Sequence, residues 1–163
     1  MIVETYLPNW KEYEEIYNEW SKKSPENWKT DSTTVGFDIG QPGIPNAFDV
    51  KLKEDYNKAI QQIIPDWNFG KILNIWGVYY RDYGYQTVHR HNQDSVATIL
   101  YLDSQPEEEK LTTLNGLMYT IYDDVHRTFK PEPGKLVLMN WDVWHGVYPA
   151  KEPRRSFMVD FAT

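Results

Sequence analysis

The chain has no cysteine among its 163 residues. Disulfides and thiolate ligands are therefore excluded, and any metal must be held by nitrogen and oxygen donors. Basic charge is in short supply: 17 Lys and Arg face 24 Asp and Glu, a formal net charge of −7. That balance disfavours contact with a phosphate backbone, so nucleic acid is a poor candidate partner. No apolar run approaches the ~20 residues of a membrane span. The start, MIVETYLPNWKEYEE, has neither the basic leader nor the apolar core of a signal peptide. A cytoplasmic protein with no membrane partner is the expectation. There is no internal repeat and no low-complexity tract, and the length suits one domain with its own core.

Aromatic residues, by contrast, are abundant, with seven Trp and twelve Tyr spread along the chain, enough for a core of wide side chains and a lined cavity. Asn9 followed by Glu12 has the form of a capping box. Trp10, Tyr13, Ile16, Tyr17 and Trp20 then recur at helical spacing, predicting a helix over 9–22. From Ser24 to Phe48 the glycines and prolines predict a long connection, with one short strand near Thr34 to Asp38. Leu52, Tyr56, Ala59, Ile60 and Ile63 form a second stripe that Pro65 stops.

After Gly70 the pattern becomes that of strands. The candidates are Lys71 to Asp82, Thr87 to His91, Val96 to Leu102, Leu117 to Tyr122, Lys135 to Met139, Val143 to Tyr148 and Arg155 to Phe161, with a turn around Tyr83 to Tyr85. The charged stretch Gln105 to Lys110 reads as a solvated turn, and His126, among Asp123, Asp124 and Arg127, as a surface residue of a polar loop. Helices first and strands afterwards predict an α+β, mainly β chain: a jelly roll of the cupin kind over about 71–163, flanked by helices over about 1–70.

Histidine is scarce, only four in all, and three of the four fall into one pattern. In VHRHNQDSVATILYLD, His89 and His91 sit one residue apart, so in an extended strand they project to the same side. His145 lies far downstream, in PGKLVLMNWDVWHGVYPAKEPRRSF. Two ligands on one strand and a third from a distant one supply the single coordinating face that a first-row ion such as iron(II) needs if its opposite face is to stay open. Beyond His145 come Arg154 and Ser156. Parity separates Arg154 from its neighbour: Arg154, Ser156, Met158 and Asp160 share one strand face, while Arg155, Phe157, Val159 and Phe161 share the other, more apolar one. The first face is expected to line the interior of the β structure and the second to pack on helices. Ala97, Ile99 and Tyr101 group together by the same test. Trp141 and Trp144, flanking His145, are expected in the core rather than in a pocket wall.

The order of Tyr79 and Tyr80, Gly84, His89-x-His91, the ILYL strand, Gly116-Leu117, PGKLVLMN, His145 and Arg154-x-Ser156 resembles the 2-oxoglutarate- and iron(II)-dependent oxygenases. Within them it is most similar to the prolyl-hydroxylase-like branch and the small bacterial and phage His-x-His proteins grouped with it. The resemblance covers about residues 71–162 and implies a double-stranded β-helix. It also implies iron(II) held by His89, His91 and His145, and 2-oxoglutarate held by Arg154 with help from Ser156 and Tyr101. The position where this family usually carries a carboxylate falls on His91. Asp94 is the alternative third ligand if the strand has ended before it, and Arg155 is the alternative anchor.

The implied activity is dioxygenation, with hydroxylation of a small-molecule or peptide substrate and formation of succinate and CO2. Two rivals stand beside it. One is a three-histidine cupin-type metalloenzyme that does not use 2-oxoglutarate; the other is a metal-free jelly-roll binding or structural module. Substrate choice is expected to reside in the loops from Ser24 to Phe48 and around Gln105 to Lys110.

Overall fold

The first aromatic stripe folds as the helix Trp10–Lys23 (α1), which buries Tyr13 and Tyr17 and ends on Lys22 and Lys23, cations that suit the negative end of the helix dipole. Asn9 and Glu12 do not close on each other as a capping box. Asn9 Nδ2 donates to Asp55 Oδ2 at 2.8 Å and Glu12 pairs with Lys51 at 2.7 Å, so both side chains reach the second helix instead. That helix, Ala47–Gln61 (α2), buries Leu52, Tyr56, Ala59 and Ile60, whereas Ile63 lies past its end and is 56% exposed. The stripe thus runs one position short of the sequence expectation.

A computed structural model of the chain describes residues 1–23, 28–29, 34–40, 47–105 and 114–163. The charged turn from Pro106 onward, and much of the connection after Ser24, lie outside the described residues. Eleven strands are described: Ile2–Tyr6 (β1), Trp28–Lys29 (β2), Val35–Asp38 (β3), Ile72–Tyr80 (β4), Gly84–His89 (β5), Ser95–Tyr101 (β6), Met118–Tyr122 (β7), Val125–Phe129 (β8), Lys135–Asn140 (β9), Trp144–Ala150 (β10) and Arg154–Ala162 (β11). They form a larger sheet of order β1-β9-β6-β11-β4-β3-β2 and a smaller one of order β5-β10-β7-β8. Every pairing is antiparallel.

Eight of these strands, β3 among them, match the predicted ones within a few residues. Three others, β1, β2 and β8, are additional, and β1 and β3 carry the first part of the chain into the larger sheet. His126 is exposed but sits in β8, not in a loop. Asp123 and Asp124 make the tight turn before it, both with positive φ (48° and 60°), as a two-residue hairpin turn with right-handed strand twist requires.

Alternation along β11 puts one face of the larger sheet against the helices and the other against the smaller sheet. Phe157, Val159 and Phe161 join Tyr13, Tyr17, Leu52, Tyr56 and Ile60 in one apolar cluster. Met158, with Val78, Ile99 and Tyr101, meets Met118, Phe129 and Val143 in the other. Each such large side chain contributes roughly 1.5–3 kcal/mol on full burial, so both faces of the larger sheet are anchored. α1 is fixed further by Tyr17, whose hydroxyl donates to Val78 O at 2.8 Å and whose ring meets Phe37 edge-on at 4.9 Å. Phe37 lies flat over Gly77, where any side chain would collide with its ring. Among the described residues no helix is long and apolar enough to cross a membrane.

Candidate functional site

Between the two sheets lies a cavity of about 520 Å³. Its long wall follows from strand register. On β11, Arg154 faces Tyr80 of β4, Ser156 faces Val78, Met158 faces Trp76, and Asp160 faces Asn74. On the other side of β11, Ser156 faces Tyr101 of β6 and Met158 faces Ile99. The alternating positions from Asn74 to Tyr80, from Ile99 to Tyr101 and from Arg154 to Asp160 line the cavity, whereas Ala97, which pairs with Asp160, does not. Its inner end, at Arg154, Ser156 and Tyr101, is buried. The other end carries the exposed polar side chains of Asp38, Asn74 and Asn92.

The smaller sheet closes the cavity with histidines. His89 at the end of β5 and His145 at the start of β10 are register partners, so the backbone ladder alone brings their rings to a centroid distance of 4.3 Å. His91 lies beyond the end of β5. The strand alternation that predicts its direction does not operate there, yet its ring stacks 5.0 Å from that of His145 and 5.5 Å from that of His89. One ring nitrogen from each of the three histidines falls within 4.8 Å of the others. Asp94, the alternative third ligand, sits in a turn with φ 64° and is exposed; its carbonyl accepts from Thr163. It does not join this group.

The hydrogen bonds of the rings fix which nitrogen faces inward. Nδ1 of His89 bonds Thr87 O at 2.9 Å, Nδ1 of His145 bonds Val143 O at 3.0 Å, and Nδ1 of His91 bonds Asp160 Oδ1 at 2.8 Å. Carbonyl and carboxylate oxygens accept, so each Nδ1 carries a proton and Nε2 is the nitrogen left to face inward. His145 is 4% exposed, and its Nε2 is buried without a hydrogen-bond partner. An orphaned buried acceptor of this kind is costly unless something occupies it. Three imidazole lone pairs converging with no thiolate nearby fit a first-row divalent ion, whose bonds to imidazole are about 2.1 Å, the value typical of zinc. Burial pushes His145 down to about 3, with the neighbouring His89 and His91 adding to the effect. Burial also lowers His89. Both rings are therefore neutral and ready to ligate near pH 7.

At the inner end the Arg154 guanidinium is 1% exposed, and its Nη1 donates to Gly116 O at 2.7 Å. Gly116 has φ 61°, and a side chain there would run into that guanidinium, so glycine is needed both for the backbone turn and for the room Arg154 occupies. The Tyr101 hydroxyl is buried without a hydrogen-bond partner, and burial raises its pKa, leaving a neutral O–H available as a donor. Arg155 lies on the opposite face. It donates to Asp103 Oδ1 at 2.8 Å and Glu14 Oε2 at 2.6 Å, outside the cavity. Trp144, expected in the core, is 43% exposed, and Arg90 lies over its ring at 5.1 Å.

Asp160, Trp76 and Asn74 are cavity residues to which sequence reasoning assigns no role. The parity of β11 places Asp160 on the correct face, but its partner, His91, is set only by the tertiary fold.

No protein-family model matches the chain, and no curated protein sequence matches it. Solved structures do match. A prolyl-4-hydroxylase from Pseudomonas putida superposes with a TM-score of 0.70 at 18% identity, over 99% of this chain and 91% of that one. A prolyl hydroxylase from Trichoplax adhaerens, in complex with a hypoxia-inducible-factor peptide fragment, gives 0.67 at 12% identity over 99% and 82%. HygX from Streptomyces hygroscopicus, with nickel and 2-oxoglutarate bound, gives 0.66 at 10% identity over 99% and 82%. The chain has the fold of the prolyl-hydroxylase-like 2-oxoglutarate- and iron(II)-dependent oxygenases.

Proposed function

We propose that the chain is an iron(II)- and 2-oxoglutarate-dependent dioxygenase that hydroxylates a small-molecule or peptide substrate. The observation that carries this reading is the pairing, in one cavity, of the converging His89, His91 and His145 nitrogens with a buried Arg154 at the closed end. The two facing sheets are then the halves of a double-stranded β-helix, and the whole chain serves as one oxygenase domain.

Bound together, iron(II) and 2-oxoglutarate supply the oxidation: one oxygen of O2 goes to the substrate as hydroxyl and the other to succinate, with release of CO2. The chain supplies placement. His89, His91 and His145 hold the ion through Nε2, their orientation set by the three Nδ1 bonds. Arg154 grips the far carboxylate of 2-oxoglutarate, which a planar guanidinium does with two parallel hydrogen bonds. The Ser156 and Tyr101 hydroxyls donate to the same carboxylate. Val78, Ile99 and Met158 line the passage between and keep it dry. The substrate enters at the end lined by Asp38, Asn74 and Asn92. That polar, partly acidic mouth and the net charge of −7 disfavour nucleic acid.

Anaerobic addition of iron(II) and then 2-oxoglutarate is expected to give the visible charge-transfer band of the chelate, and succinate should form slowly once air is admitted. Absence of both band and succinate would overturn the assignment. A band-free protein that still binds iron(II) and turns over another substrate would favour the three-histidine, cosubstrate-free enzyme, for which the missing ligand carboxylate is the favouring observation. Failure to bind metal at all would favour the metal-free module.

A further inference from the structure

The three histidines are not held alike. His89 and His145 are paired across the β5–β10 ladder, and each Nδ1 bonds a backbone carbonyl two residues away in its own chain segment. Local backbone therefore fixes both rings. His91 has neither support: it lies two residues beyond the end of β5, and its Nδ1 reaches across the cavity to Asp160 Oδ1 on the opposite sheet. Asp160 is itself well fixed, buried in the middle of three paired strands with Asn74 on one side and Ala97 on the other. The face of the His91 ring is covered by Trp76, stacked at 6.1 Å with 28° between planes. The least anchored histidine is thus the one with a carboxylate partner.

His91 is also the residue that makes the cluster neutral. Three imidazoles bring no charge to a divalent ion, and an uncompensated ion in a buried site is poorly held. A carboxylate hydrogen-bonded to the far nitrogen of a ligating imidazole fixes its direction, increases its basicity and places a negative charge close to the ion without coordinating it.

Resting on the metal reading above, we propose that Asp160 is a positioning residue. It aims His91 Nε2 into the site and, through that ring, supplies the single negative charge that the three-histidine set lacks. The carboxylate stands one hydrogen bond behind the imidazole, and His91 relays it.

The test uses metal alone, without 2-oxoglutarate. Cobalt(II) is titrated anaerobically into the full chain and followed by its visible ligand-field bands, with affinity from competition against a chelator. Four proteins are compared: wild type, Asp160→Asn, His91→Asp and the double variant. Asp160→Asn keeps an acceptor oxygen and the side-chain shape but removes the charge. It is expected to weaken cobalt(II) binding about 10- to 100-fold and to shift the bands. In the His91→Asp background the carboxylate stands at the ion itself and there is no imidazole to relay, so the same Asp160→Asn change should cost nothing, or should help by removing a like charge.

Equal loss in both backgrounds would overturn the proposal, since Asp160 would then act on the fold or bind the ion directly. Unchanged affinity and bands in the single Asp160→Asn variant would overturn it too. Wild-type protein that binds no cobalt(II) would instead sink the metal reading itself, so the two failures are distinguishable. If Asp160→Asn merely unfolded the chain, the double variant would fail as well; recovery of binding there is what the proposal requires.

Discussion

Arg154 and Arg155 are adjacent, identical in chemistry and opposite in placement. The first is enclosed in the cavity against Gly116; the second reaches outward to Glu14 and Asp103. Strand alternation alone separates them, which is why the distinction is legible in the segment RRSFMVDF itself. Their substitutions should separate just as sharply. Charged hydrogen bonds of this type contribute roughly 1.5–3 kcal/mol, so Arg154→Ala is expected to weaken 2-oxoglutarate binding about 10- to 100-fold. Arg154→Lys should recover only part of this, because an ammonium cannot reproduce the two-pronged grip. Calorimetric titration of the manganese-loaded protein reads both, and unchanged affinity in Arg154→Ala would remove Arg154 from the cosubstrate site. What a sequence cannot disclose at this scale is whom a side chain meets across the fold. Parity puts Asp160 on the right face without naming its histidine, and Trp144, a large apolar residue beside a ligand candidate, is exposed beneath Arg90.

The legible elements are those with internal periodicity: α1, most of α2 and the long strands β4, β6, β9 and β11. The others take their form from partners. β1 is a five-residue strand whose identity rests on pairing Ile2–Tyr6 against Met139–Lys135 of β9. β8 carries the polar sequence VHRTF and is a strand because the Asp123-Asp124 turn folds it back onto β7. In the long connection before α2 only β3 has a strand pattern of its own, and β2 is too short to signal itself.

Between elements, the attachment of α1 to the sheet depends partly on Arg155. Its guanidinium joins Glu14 and Asn18 of α1 to Asp103 just after β6. The side chains are about a quarter exposed, so solvent screening keeps the gain small, about 1 kcal/mol at most per pair. Arg155→Ala is expected to lower the unfolding free energy in urea by that order, with a smaller difference from wild type at high salt. Its affinity for 2-oxoglutarate should match wild type, and a large loss there would mean that the outer face of β11 governs the inner one.

At the scale of the whole molecule, the larger sheet is a wall with helices behind it and the cavity in front. The metal-binding candidates come mainly from the smaller sheet, while Arg154 and Asp160 come from the larger. The site therefore exists only when both sheets are packed together, and its burial has a thermodynamic consequence for the metal-free protein. His145 titrates at about 3 when folded because burial disfavours its charged form, whereas in an unfolded chain it titrates near 6.5. Between these values the unfolded state binds the extra proton, so stability is highest above pH 6.5 and declines as pH falls. His89, lowered for the same reason, acts in the same direction. Each such proton contributes a slope of up to about 1.4 kcal/mol per pH unit. The interval from about pH 6.5 to 5 isolates the effect, because most carboxylates remain ionised there. Urea unfolding of the metal-free protein across that interval should show a falling midpoint, and His145→Gln, which cannot take up the proton, should flatten the slope by up to one proton's worth. An identical slope in the variant would mean that His145 is hydrated in solution, and that the cavity between the sheets is more open than its packing indicates.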